Sequence, residues 1–273
     1  MDLRSLFCRP PRPPSPLPFP EPFVPEETTR VATAEAGRVL AALAALRREH
    51  AEMPDAHTGI FDEPRPWLPP EERFDPNRYF EVFDRLRPDD GWGLDYVYSY
   101  WGNGGSPLLY PRRRDAPPLT TPDAYSEHFP WGNQPGVHPW LWRLSAERSP
   151  EGAFQLALLA LEGQKFYLHW HDNYFDTEYV CTPERLEQLV GTLPDEPEGP
   201  SMIDGITPEE RERLWRYDLA PVVRRAGDFA EVEGLVYTKW GGFFRRTVRI
   251  AWPNRVLGES DEQVVEYNCH IMY

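Results

Sequence analysis

The sequence predicts an α+β fold: an antiparallel sheet built from aromatic-rich hairpins, with a few flanking helices. Three observations carry this. YVYSYWGNGGSPLLYP (96–111), FYLHWHDNYFDTEYV (166–180) and LVYTKWGGFFRRTVRI (235–250) share one plan. In each, an aromatic or β-branched run ends in Trp (Trp101, Trp170, Trp240), a tight polar or glycine turn follows, and a second run returns. Two stretches, TPERLEQLV and TPEERERLWRY, open alike, with a threonine cap, a proline at the first helical position and glutamate behind it. A third helical stretch, rich in alanine, lies near the N-terminus.

In chain order, residues 9–25 are about half proline, which forbids helix and interior strand. PPRPPSP has the make-up of a polyproline II ligand, whereas Leu17, Phe19, Phe23 and Val24 point to an arm that docks on its own body. A helix follows from Thr28 or Thr29 to about His50, with Val39, Leu40, Leu43 and Leu46 as its apolar stripe. Residues 53–75 return to proline and acid, and FDPNRYFEVFDRLRP reads as a short helix capped at Asp75. WLWRLSA (140–146) and FQLALLAL (154–161) read as strands, the second central because it is apolar on both faces. The last strand is VVEYNCHIMY, paired with residues 243–252 across a PNRVLGESDE loop. The chain therefore divides into a proline-rich arm (1–25), a helix with a proline-rich connector (26–75) and an α+β body (76–273).

Charge sets the next bounds. The 273 residues carry a net charge of −15, which disfavours nucleic acid, since that partner needs a basic footprint. A basic protein partner fits instead. Residues 184–213 concentrate the imbalance, with nine acids against three arginines. Basic side chains are almost all arginine, with only Lys165 and Lys239 besides. Arginine suits bidentate ion pairs, although Arg, Pro, Ala and Gly together are also what a GC-rich genome encodes. No run approaches the roughly 18–20 apolar residues that cross a bilayer, and no membrane role is expected. Cys8, Cys181 and Cys269 are odd in number and unpatterned, which predicts reduced thiols and a cytoplasmic protein.

Two clusters carry candidate chemistry. On strand 165–171 strict alternation puts Tyr167, His169 and His171 on one face and Phe166, Leu168 and Trp170 on the other. His169 and His171 then form an HxH pair at metal-holding spacing, with Asp172, Asp176, Glu178, His128, His138 and His270 as further ligand candidates. The plainer alternative makes HWHDN a hairpin turn with two polar rings on a half-exposed face. Near the C-terminus, Arg245 and Arg249 share one strand face, and Glu266 and His270 share a face of the last strand. If those faces align, they make either cross-strand ion pairs or an anion clamp with His as acid or base.

Other signatures are missing. There is no GxSxG, P-loop, GxGxxG, HExxH, CxxC or DxDxDG, and Lys165 follows Glu162 by three rather than the two of an ExK motif. No cofactor is expected, and no motif matches a family of known function. The expectation is a non-catalytic intracellular binding protein of accessory, inhibitor or immunity-like kind. The alternative is a hydrolase-type enzyme using His169 and His171, with or without a metal.

Overall fold

The computed structural model describes residues 19–50, 73–100, 104–132, 137–170, 177–193, 205–239 and 241–266. They form an α+β fold with mostly antiparallel sheets. The chain enters through β1 (Glu27–Arg30) and α1 (Thr33–Arg48). The helix thus starts later than Thr28 or Thr29, because Glu27–Arg30 pairs antiparallel with Val222–Arg225. β-branched Thr28 and Thr29 suit a strand as well as a cap. Ala36, Val39, Leu43 and Leu46 form the buried stripe of α1, with Leu40 partly buried beside them.

Asp75 caps the next helical piece as its sequence predicts, accepting from Asn77 N at 2.9 Å. A single 3₁₀ turn, Pro76–Arg78, leads into α2 (Tyr79–Val82). β2 (Leu86–Pro88) follows, then the first expected hairpin, β3 (Trp92–Tyr100) with β4 (Gly104–Arg113). Its register runs from Trp92↔Arg113 to Tyr100↔Gly105. α3 (Pro122–His128) is capped by Thr121.

Residues 140–146 are not one strand. Pro139–Arg143 is a 3₁₀ turn, and only β5 (Leu144–Ala146) is extended, paired with β2. The larger correction is residues 154–161, which are helix rather than central strand. α4 (Pro150–Glu162) starts at Ser149, whose Oγ accepts from Gly152 N at 3.1 Å, with Pro150 at the first position. A helix enclosed on every side shows no apolar stripe, so its period is invisible in a short apolar run. Ala153–Ala160 are all buried, and α4 touches both β2–β5 and the main sheet. Gly152 is required there: a Cβ would stand 2.1 Å from the Glu147 carbonyl oxygen.

Among the described residues, the two runs of the second expected hairpin do not pair with each other. β6 (His169–Trp170) joins β4, whereas β7 (Thr177–Tyr179) joins the main sheet. The two runs of FYLHWHDNYFDTEYV thus serve different sheets. Next come α5 (Pro183–Gly191) and α6 (Pro208–Trp215), capped by Thr182 and Thr207 as expected, the second with a full capping box. β8 (Val222–Ala226), β9 (Phe229–Thr238), β10 (Gly242–Ala251) and β11 (Arg255–Glu266) complete the main sheet in the order β1-β8-β9-β10-β11, with β7 also on β9. β9 and β10 are the third expected hairpin.

The stretch read as a loop over 253–262 is mostly strand. β11 pairs with β10 from Ala251↔Arg255 onward, and at the return Asn254 Nδ2 donates to the Leu144 and Trp142 carbonyls at 2.8 and 3.2 Å, tying the turn to β5. At the other end of the chain, Phe19 packs edge-on against Phe229 with ring centres 5.6 Å apart, under the Arg249 guanidinium. That contact is a docked arm end; Leu17 lies outside the described residues.

Candidate functional site

The strand 165–170 does not alternate as expected. Tyr167 adopts φ 51, a left-handed conformation, so Phe166 and Tyr167 are both buried. Tyr167 is fixed from several sides: its carbonyl accepts from Tyr98 Oη at 2.8 Å, and its hydroxyl accepts from Phe74 N at 3.1 Å. His169 follows in register with Gly105, its ring 5.5 Å from Tyr100, with Nε2 buried and, among the described residues, without a hydrogen-bond partner. His171, Asp172 and Asp176 lie outside the described residues. Glu178 is held by Arg185 at 2.6 Å. Among the described residues no three His, Cys, Asp or Glu stand close enough to hold a metal.

The C-terminal cluster is arranged differently from its expected alignment. Register places Glu262 opposite Arg245 and Gly258 opposite Arg249, while Glu266 faces Gly242. The early start of β11 causes this displacement. Arg245 pairs with Glu262, and Arg249 pairs with Glu231 at 3.2 Å and Glu21 at 2.5 Å. His270 lies outside the described residues. Both guanidiniums thus bind carboxylates of the chain itself. Arg246–Asp261 at 2.6 Å and Arg224–Glu233 at 3.0 Å continue the pattern, so arginine here ties strand to strand.

Sequence reasoning missed a buried charge network. Glu162, 1% exposed, ends α4 and meets Arg47 from α1, with Lys165 Nζ 3.6 Å away at 10% exposure. Lys165 also donates to the Thr177 carbonyl. Nearby, His138 Nε2 stands 3.5 Å from Glu259, and that imidazole holds the Glu259 carboxyl below its usual range. The His138 ring packs against Trp140, and a Cβ on Gly163 would come within 3.2 Å of Trp140 Nε1. Acid, base and amine are all present, but Glu162 with Arg47 and Lys165, and Glu259 with His138, are occupied with one another. No spacing in the sequence links residues 47, 138, 162, 165 and 259.

The open face lies on α5 and α6. They bury Leu186, Leu189, Val190 and Leu214 in a cluster with Leu235, Phe243 and Val265. Their arginines turn inward or pair locally. Arg211 donates to the Val190 and Leu193 carbonyls at 3.1 and 3.0 Å, Arg213 to Val264 O at 3.0 Å, and Arg185 to Glu178. Glu184, Glu187 and Glu209 stay exposed on the opposite faces. Trp215 ends α6 at 49% exposure, beside the Glu212–Arg216 pair. A sequence scan finds the acids of this stretch but not the Trp, whose helical period matches a buried position as well.

Comparison with family models, curated proteins and solved structures found no match for this chain.

Proposed function

We propose that this chain is a non-catalytic binding protein, of accessory or inhibitor type, that engages a basic partner protein through the face formed by α5 and α6. The observation that carries the reading is the division of charge on that face. Arg211 and Arg213 turn donors to backbone carbonyls, while the carboxylates Glu184, Glu187 and Glu209 and the Trp215 ring stay exposed on the same pair of helices. Exposed carboxylates and an exposed indole both suit lysine and arginine side chains, the first by charge and the second by cation–π contact. The same field repels nucleic acid. An intracellular, cytoplasmic setting belongs to the proposal, supported by the free thiol of Cys181, which burial pushes up to about 12.

The test is calorimetric titration with an arginine-rich peptide at low ionic strength. Wild type should bind, and the Glu184→Gln/Glu187→Gln/Glu209→Gln variant should bind about tenfold more weakly or worse. Trp215→Ala should cost a comparable factor, of the order expected for an aromatic anchor at about 1–2 kcal/mol. Unchanged affinity in both variants would sink the reading. A hydrolase-type activity at His169 with His171 is the second reading, supported by the buried Nε2 of His169 beside Tyr100, which meets no hydrogen-bond partner among the described residues.

A further inference from the structure

The main sheet ends on two unlike strands: β1 has four residues, β11 has twelve. An edge strand presents a row of backbone N–H and C=O groups, and chains usually close such rows. This one does so elsewhere. The outer side of β3 is closed by Asn77, whose Oδ1 accepts from Leu94 N at 2.8 Å while its Nδ2 donates to Leu94 O at 3.0 Å. That amide imitates a neighbouring strand. β8 is covered by β1, and the part of β9 beyond β8 is covered by β7. β11 pairs with β10 on one side, and among the described residues no strand pairs with the other.

Both ends of this edge are anchored. Pro253 O, just before β11, accepts from Ala146 N at 3.1 Å, and Val264 O accepts from Arg213 at 3.0 Å. Between them the strand opens. A Cβ on Gly258 would meet nothing within 4 Å, and Glu259–Gln263 are all exposed. Glu259 is instructive: the residue as a whole is exposed while its side chain, turned to His138, keeps only 29% exposure. At Glu259 the main chain therefore supplies much of that exposure. Residues 258–263 span about 20 Å, an ordinary strand length.

Charge selects the occupant. The open stretch holds Glu259, Asp261 and Glu262 and no cation. Asp261 and Glu262 are fixed along the edge by Arg246 and Arg245, and Glu262 remains 68% exposed. A second copy of β11 would set carboxylate against carboxylate, which disfavours self-pairing. We infer that β11 is a docking edge for an extended, arginine- or lysine-rich segment of a partner protein, which adds a strand to the sheet through backbone hydrogen bonds. The inference rests on the proposed function and adds a mode of binding at a different face from α5 and α6.

Amide hydrogen exchange on the full chain separates the two. The probe is an eight-residue peptide of alternating arginine and valine, compared with one in which proline replaces each valine and removes its donor. The alternating peptide should slow exchange of residues 258–263 about tenfold or more, and the proline peptide should not. Protection confined to α5 and α6, or equal protection of β11 by both peptides, overturns the docking edge and leaves the acidic-face reading standing. No binding by either peptide overturns both.

Discussion

Arg47, in the last turn of α1, and Glu162, the last residue of α4, form an ion pair inside the core. Lys165 stands on the other side of the same carboxylate. One buried anion therefore balances two cations drawn from separate elements, and it ties the N-terminal helix to the hub of the fold. Removing one member of such a set leaves uncompensated charge in a poorly solvating interior.

Glu162→Ala should therefore destabilise the chain by about 3–5 kcal/mol. Urea unfolding at pH 7 measures it, with Glu184→Ala on the exposed face as the control, expected within about 0.5 kcal/mol. Equal midpoints for the two variants would mean that the network carries no weight.

A second prediction concerns pH. His50 lies against the Phe74 ring, 4.6 Å between ring centres, with Nδ1 3.3 Å from the Tyr167 hydroxyl. Burial lowers its pKa, Glu49 acts in the opposite sense, and Arg78 adds to the lowering. The folded chain thus prefers neutral His50. Its contribution is fully present above the unfolded value of about 6.5 and is lost as pH falls toward the depressed folded value. Burial lowers His128 in the same direction, so wild type must be compared with a chain that keeps His128. Between pH 7.5 and 5, wild type should lose more stability than His50→Gln, read as the difference in urea midpoints. Parallel pH profiles would remove His50 from the account.

Much of this fold is legible where local chemistry decides it. Asp75, Thr182 and Thr207 cap helices because a side-chain oxygen beside a first-turn proline has few alternatives. The hairpins at β3–β4 and β9–β10 follow from alternation closed by glycine turns. Illegible parts depend on what lies across the chain. Residues 154–161 are buried all round, which hides the helical period, and the opening Ser149-Pro150-Glu151, built like those of α5 and α6, is the local signal that marks them as helix. The early return into β11 is accompanied by Asn254 reaching the Leu144 and Trp142 carbonyls, a contact over more than a hundred residues that no local pattern shows. Arg245 and Arg249 were legible as ion-pair formers but not as partners of Glu262, Glu231 and Glu21. At Tyr167 the left-handed turn breaks an alternation that the sequence displays without interruption.

That break bears on the HxH pair. His169 and His171 share a face only while the strand alternates; β6 covers His169–Trp170, and His171 lies outside the described residues. His169 packs beside Tyr100 with its Nε2 enclosed, so its ring belongs to the small sheet. Replacing it by Gln trades one buried polar group for another and should cost within about 1 kcal/mol. A bound metal would change that figure sharply, because the ligands would then contribute its binding free energy to stability. Thermal melting of wild type and His169→Gln/His171→Gln, each with and without chelator, distinguishes the cases. Under the binding-protein reading, chelator shifts neither melting temperature. A loss of several degrees in wild type, with none in the variant, would replace that reading with a metal site at His169 and His171.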